Sequence, residues 1–482
     1  MRPLTIVRNN FLILSLIVSF LVSLVTDWYW IISLFLFIVT VLSVLDKLGK
    51  GLVLREMVVM YTIFICLVAP EIGYRVYNYE NFISRIFVKY MQVPEDTYFN
   101  FALPAVIAFS IAMCFPITHE KQIMDEGSFF QDLINDAKKQ LHKSVKTGIF
   151  IVSFGILMFF VVDFLPDTFR FAGLLFFFAS FAGILYIYYC PFFPAKRILL
   201  GMFSLFIIWG TVDSGVFTVI VYMGITLFSF LFLGKKFALW KKVLVFSICS
   251  FVLLIVQNVK ATYRDVTWKD VEYTGNKTQL FAHIVVEKLK NLDQLFDEKG
   301  FFPIYTRANQ GFNISLVMKR IPSVQDYDGG SRLLTIAASS LVPRFLWPDK
   351  PEAGGRESMR YFAGKYIAGW STNVSPLGEA YGSFGVTGGI AYMFLLGLFV
   401  RWVYKRVFVI SQKLPLVIFW IPMLFYQVTY SMETDTLQIL NSLLKSAFFL
   451  WLLYKLLPSW FGVVKKSRAL IRSKRQANPF PA

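Results

Sequence analysis

GIFIVSFGILMFFVVDFL at residues 148–165 and FRFAGLLFFFASFAGILYIYY at residues 169–189 decide the fold. Each is close to the roughly 20 apolar residues that a helix needs to cross a bilayer. Runs of the same kind recur at 11–25, 28–45, 56–70, 98–115, 198–210, 216–233, 243–257, 382–400, 415–430 and 437–457. The shortest is 198–210, and Asp213-Ser214-Gly215 must turn the chain before the next run. With 56% hydrophobic and 16% charged residues over 482 positions, no single soluble core can take up this apolar surface, so lipid must cover most of it. The expected fold class is an all-α polytopic membrane protein of about 12 transmembrane helices.

Orientation follows from lysine and arginine, which resist translocation. Alternate loops are basic: Arg2 and Arg8; Lys47, Lys50 and Arg55; Lys121 and Lys138 to Lys146; Lys196 and Arg197; Lys235 to Lys242; Arg401 to Lys413; and the tail from Lys455 to Arg475. These loops hold about 27 cations against about 4 in the short loops opposite, which predicts both termini in the cytoplasm. The net charge of +18 is therefore topological, and a nucleic-acid partner is excluded for want of a basic, aromatic-interleaved module. The first run lacks a small-residue cleavage site and reads as a signal anchor.

Four segments result: 1–257 with the first nine spans and a cytoplasmic loop at 117–147, 258–381 as one long extracytoplasmic loop, 382–457 with the last three spans, and a basic tail at 458–482. Leu133, Ala137 and Leu141 mark a surface or coupling helix in the cytoplasmic loop. The extracytoplasmic loop is too long to be an idle connector. Leu280, Phe281, Ile284, Val285, Leu289, Leu292, Leu295 and Phe296 recur at helical spacing over 278–298 and predict an amphipathic helix at the membrane interface. Segments 307–321 and 331–341 are further helix candidates between Pro and Gly interruptions. Cys66, Cys114, Cys190 and Cys249 all fall in or at the ends of spans, so no disulfide frames the loop.

The loop also carries Pro343-Arg344-Phe345-Leu346-Trp347-Pro348-Asp349-Lys350-Pro351 and, some twenty residues on, Gly378-Glu379-Ala380-Tyr381-Gly382-Ser383-Phe384-Gly385. This pair of elements, with many spans and one long external loop in the C-terminal third, resembles the bacterial O-antigen polymerase (Wzy-type) and related oligosaccharide repeat-unit polymerases. The motif match covers about fifty residues, and the remaining spans match in layout only. The resemblance implies a GT-C-like glycosyltransferase of the bacterial inner membrane. Such an enzyme moves a growing glycan from undecaprenyl pyrophosphate onto the next lipid-linked unit without a cofactor; whether a chain-length regulator binds it as a partner the sequence leaves open.

The chemistry asks for cations on the diphosphate leaving group and a base for the acceptor hydroxyl. Arg344, Arg332 and Glu379 are the candidate catalytic residues; Arg307, Arg320, Lys350, Arg356, Arg360, Glu433 and Asp435 are candidates for holding diphosphate and glycan. Each has a plainer reading: an exported arginine is ordinarily solvated or in contact with headgroups, and Glu379 sits where a carboxylate favours a helix start. Asp326-Tyr327-Asp328 is a D-x-D triplet, but Gly329-Gly330 marks it as a surface turn, and no metal is assigned. His119 and His142 fall on the cytoplasmic side and His283 on the amphipathic helix, so the external histidine described for O-antigen ligases has no match. P-loop, H-E-x-x-H and G-x-S-x-G patterns are absent. Inside the spans Asp163, Asp213 and Lys445 stand out, since charge there is costly. A lipid-linked glycan flippase or transporter and an O-antigen ligase-type transferase remain the alternative functions.

Overall fold

The computed structural model describes residues 3–117, 126–141, 145–215, 217, 223–267, 273, 275–291, 293, 297–342, 344, 346–367 and 372–463. Every regular element among them is helical. Ten helices are long and apolar enough to cross a membrane: α2 (Tyr29–Lys47), α3 (Leu54–Arg75), α4 (Glu95–Cys114), α6 (Val145–Phe164), α7 (Asp167–Tyr189), α8 (Lys196–Ser214), α10 (Leu239–Thr267), α16 (Ser375–Lys413), α17 (Pro415–Glu433) and α18 (Thr436–Leu456). The chain is an all-helical, multi-pass membrane protein. The two other apolar runs also form helices, α1 (Pro3–Ser23) and α9 (Gly224–Phe232), whose described apolar parts are shorter than a span.

Between these lie α5 (Glu126–Leu141) and the helices of the long loop: α11 (Lys277–Lys290), α12 (Glu298–Ala308), α13 (Gly311–Arg320), α14 (Ser331–Leu341) and α15 (Arg356–Ala363). The loop is shorter than the apolar runs suggest, because α10 stays helical to Thr267 and α16 begins at Ser375. In α5, Leu133, Ala137 and Leu141 are all buried. His119, His142, Leu292, Leu295, Phe296 and the tail from 464 lie outside the described residues.

The chain divides into two compact units. One comprises Met1–Gln131, Met202–Lys405 and Phe425–Leu444; the other comprises Asp132–Gly201, Arg406–Leu424 and Lys445–Ala482. In the smaller unit α6 and α7 form a hairpin, and Tyr186 ties two further segments together: its hydroxyl donates to the Trp460 carbonyl at 3.0 Å and accepts from Trp420 Nε1 at 3.0 Å. The Lys445 ammonium lies 4.5 Å from the centre of the Phe171 ring, a cation–π contact for a charge within a span.

In the larger unit several cations of the basic loops cap helices. Arg55, 2% exposed, donates to the carbonyls of Met113 and Phe115, and Arg401 donates to Phe115 and Pro116, so two guanidiniums close the C-terminus of α4. Lys242 does the same for α2 through Leu45 and Asp46. The amphipathic helix α11 lays Leu280, Phe281, Ile284 and Val285 on Val256, Val259 and Tyr263 of α10. These four residues of its apolar face thus pack on protein, while Leu289, Val286 and His283 are exposed.

The larger unit is organised by irregular backbone. In α3 the residues Phe64–Val68 form a π-turn just before Pro70, whose missing N–H leaves carbonyls open in the preceding turn. Two of them are filled from elsewhere: Ile65 O accepts from the Gln310 N–H at 3.1 Å and Cys66 O from the Tyr98 hydroxyl at 2.8 Å. Gly311 lies so close to Pro70 and Tyr98 that a Cβ there would collide with both. A second break falls in α16 at Gly385, whose φ of 66° favours glycine. There the Gly329 N–H fills the Ser383 carbonyl at 3.0 Å. A third break is in α17, expected as one regular span and found as a 3₁₀ turn at Pro415–Trp420 and an α turn at Ile421–Leu424, both in the smaller unit, and another 3₁₀ turn at Gln427–Glu433 in the larger one. Pro415 and Pro422 remove N–H groups, and the near-complete burial of the segment makes such backbone tolerable.

Replacing Tyr98 by Phe keeps the ring but strands the Cys66 carbonyl. Thermal or denaturant unfolding in detergent should show a loss of about 1–3 kcal/mol. Gly201→Ala, where an added Cβ meets nothing within 4 Å, should show no destabilisation.

Candidate functional site

The site is built where the loop meets the ends of α3, α10, α16 and α17 that lie opposite the basic loops. α12 begins with Asp297, whose side chain accepts from the Gly300 N–H at 2.6 Å, and seats Phe302 and Tyr305 on Tyr77 and Ile72 at the end of α3. Asn258 of α10 holds it from the other side, donating to Gly300 O at 2.9 Å. This fixes Arg307 in the last turn of α12.

Three carboxylates gather at the junction of α17 with α18. Glu433, with 6% of its side chain exposed, pairs with Arg307 through Oε2 and accepts from the Tyr61 hydroxyl of α3 through Oε1. Glu379, fully buried, accepts from Ser358 Oγ at 3.0 Å and from the Thr436 N–H at 2.9 Å. Asp435 caps α18, accepting from the Gln438 N–H at 2.6 Å, and its other oxygen accepts from the Gly354 N–H at 3.2 Å. Gly355 follows with φ 84°, and a Cβ there would overlap Asn373 Oδ1 and Thr372 O. The junction is laced to the loop: Asn373 Nδ2 donates to Glu433 O at 3.2 Å, and Gln310 Nε2 donates to Asn373 O at 2.7 Å. Ser375, which opens α16, takes a left-handed φ of 71°, an uncommon conformation for a residue other than glycine.

Further cations lie near Arg307 and near Asp435. Lys260 and Arg264, one turn apart on α10, both feel the repulsion of the Arg307 guanidinium. Arg264 is fixed by two donations to Gly215 O at 3.0 and 2.7 Å, whereas Lys260 makes no hydrogen bond or ion pair among the described residues. From α14, Arg332 pairs with Glu357 at 2.9 Å, lies over the Tyr361 ring at 5.3 Å and adds favourable charge for Asp435. Arg332 Nε, Asn373 Oδ1, Ser383 Oγ and Ser431 Oγ are buried with no hydrogen-bond partner among the described residues.

The other expected residues make contacts of their own. Arg344 is half-exposed, donates to Pro348 O at 3.1 Å and lies 3.8 Å from Glu352. Lys350 closes the C-terminus of α14 through Ser339 O at 2.9 Å and Val342 O at 2.7 Å. Burial and then the Arg344 charge hold its ammonium below the usual lysine range. Arg320 donates to Gln325 Oε1 and covers Gly364, and Arg356 and Arg360 are exposed on one face of α15. In the D-x-D triplet, Asp328 accepts from the N–H groups of Gly330 and Arg332 and from the Tyr361 hydroxyl, which makes it a cap for α14, while Asp326 is exposed. No cluster of three metal-ligating side chains occurs among the described residues.

Lys260 and Arg264 escape the sequence reading because they follow an apolar run and look like ordinary loop charges. The signal that exposes them is their spacing of four on a helix that continues past the run. Comparison with protein-family models, with curated proteins and with solved structures finds no match to this chain.

The arrangement offers an Arg307–Glu433 pair, two further cations within electrostatic reach of Arg307, and two further buried carboxylates held by N–H and O–H donors. Burial pushes the Asp435 carboxyl above the usual carboxylate range, against the opposing pull of the N–H groups and of Arg332. An acid whose pKa is higher folded than unfolded binds more protons when folded, so stability falls as pH rises above the ordinary Asp value of about 3.9. The thermal midpoint of detergent-solubilised protein should decline across that interval, and Asp435→Asn should flatten the decline. An unaltered profile in that variant would assign the titration to another group.

Proposed function

We propose that this protein joins lipid-pyrophosphate-linked oligosaccharide units into a longer glycan on the outer face of a bacterial inner membrane. It would act as a metal-independent glycosyltransferase with about 12 spans, GT-C-like architecture and both termini cytoplasmic. The observation that carries the reading is the Arg307–Glu433 ion pair beside two further buried carboxylates, with Lys260 and Arg264 of α10 close enough to Arg307 to repel it. The likeness of the Arg344 and Glu379 elements to repeat-unit polymerases supports it.

In this reaction the acceptor hydroxyl oxygen forms a bond to C1 of the donor sugar, the C1–oxygen bond to the diphosphate breaks, and the hydroxyl proton passes to a carboxylate. The leaving lipid diphosphate carries away the negative charge, and cations fixed before it arrives lower the barrier most. Lys260 and Arg307 take that role, with Arg264 held beside them. Arg332 supplies the open Nε donor on the glycan side, and Arg320, Lys350, Arg356 and Arg360 line the approach. Glu433 is the proton acceptor best placed at the edge of the cluster. Glu379, which has no exposed surface at all, holds the junction in place through Ser358 and Thr436. Arg344, exposed near the membrane, meets the lipid-linked substrate first.

A flippase-type transporter is the second reading, favoured by the broken, buried α17, because discontinuous helices commonly carry transport sites. Purified protein given synthetic lipid-pyrophosphate repeat units separates the two. Polymerisation gives a ladder that survives chelator, and Arg307→Ala and Lys260→Ala each lower its rate by about 100-fold or more. Labelled lipid-linked sugar crossing vesicles without lengthening would favour transport, and normal ladders from a folded Arg307→Ala protein would remove Arg307 from the mechanism.

A further inference from the structure

α14 is unusual for a helix outside the spans. Its eleven residues carry one charge, and that residue, Arg332, turns inward to Glu357 and Tyr361. Leu333 and Ile336 are buried in a cluster with Leu437, Leu440 and Tyr392 of the spans. The opposite face holds Ser331, Leu334, Ala338 and Leu341, all exposed, with Leu334 at 73% and Leu341 at 70%. Leu346, in the turn that follows, is 67% exposed. Single exposed leucines are common on soluble surfaces, but two on one helix face with no outward charge on that helix describe a surface that does not meet water.

Its neighbours fix the depth of this helix. Leu437 lies in the first turn of α18 and Leu440 about 6 Å below Thr436 at 1.5 Å per residue. That falls within the interfacial layer, about 5–7 Å thick on each side of the hydrocarbon core. The residues that follow suit the same layer: Trp347 is a side chain of membrane interfaces, and Arg344 has an exposed guanidinium on a stem long enough to reach lipid phosphates.

We propose that α14, with Arg344 and the described residues 346–350 that follow it, forms an interfacial foot, the Leu334–Leu341 face seated among the acyl chains of the adjoining leaflet and Arg344 at the depth of its lipid phosphates. The occupant of this face is phospholipid, because the opposite face of the helix packs on the first turns of α18 and on Tyr392 of α16, both membrane spans, where lipid is the surrounding solvent. The inference does not depend on the reaction catalysed. It means that Arg332 is held over the carboxylate junction by a helix whose position the bilayer supports.

The test uses the full chain with Cys249 replaced by Ser, the other three cysteines being buried. Leu334→Cys, Leu341→Cys and, as a control, the exposed Ser323→Cys are each labelled with a polarity-sensitive fluorophore and reconstituted in phosphatidylethanolamine–phosphatidylglycerol vesicles. Acyl-brominated lipid should quench the labels at 334 and 341 by about half or more, and aqueous iodide should quench only the label at 323. Equal iodide quenching at all three positions would overturn the proposal. So would labels at 334 and 341 that are shielded from both quenchers, because a protein partner would then cover the face.

Discussion

Backbone polar groups within a bilayer must find partners inside the protein, and the candidate site rests on how this chain meets that requirement. Pro70 and the π-turn before it open carbonyls in α3. The loop amide of Gln310 and the hydroxyl of Tyr98 fill two of them, and Gly329 fills another at the break in α16. A loop of over a hundred residues is thereby pinned to spans at fixed points. From Gln310 the connection runs through Asn373 to the Glu433 backbone, and from the Glu433 carboxylate back to Tyr61 on α3 and to Arg307. Arg307 is placed because this circuit closes.

Three buried carboxylates within one junction are costly, since each loses hydration worth several kcal/mol. The protein offsets the cost differently for each: an ion pair and a phenol for Glu433, a hydroxyl and a backbone N–H for Glu379, and two backbone N–H groups for Asp435. Lys260 and Arg264 bring further positive charge close to Arg307 and repel it. Such a cluster is poor material for stability alone. Its composition suits a transient anion that relieves the repulsion, which is why we associate it with a diphosphate leaving group.

Much of the fold is legible in apolar run length, and the bounds of α14 match the expected 331–341 segment because Gly329-Gly330 and Pro343 punctuate it. The irregular elements are not legible. Pro415 and Pro422 are visible, but hydropathy reads α17 as one span because its apolar character continues through the breaks. The periodicity of α11 announces an apolar face without saying whether lipid or α10 covers it. For the site, Arg307 and Glu433 were identifiable as residues but not as a pair, since 126 positions separate them. The position of Lys260 and Arg264 near Arg307 depends on α10 continuing past its apolar run.

The docking of the loop into α3 is the premise on which the site's geometry stands, and amide hydrogen exchange of the reconstituted protein reads it directly. The Gln310 N–H, buried and bonded to Ile65 O, should exchange as slowly as the amides in the middle of α4. Exchange at the rate of the exposed Ser323 amide would mean that the loop does not occupy the opened turn of α3, and the assembled cluster around Arg307 would lose its foundation.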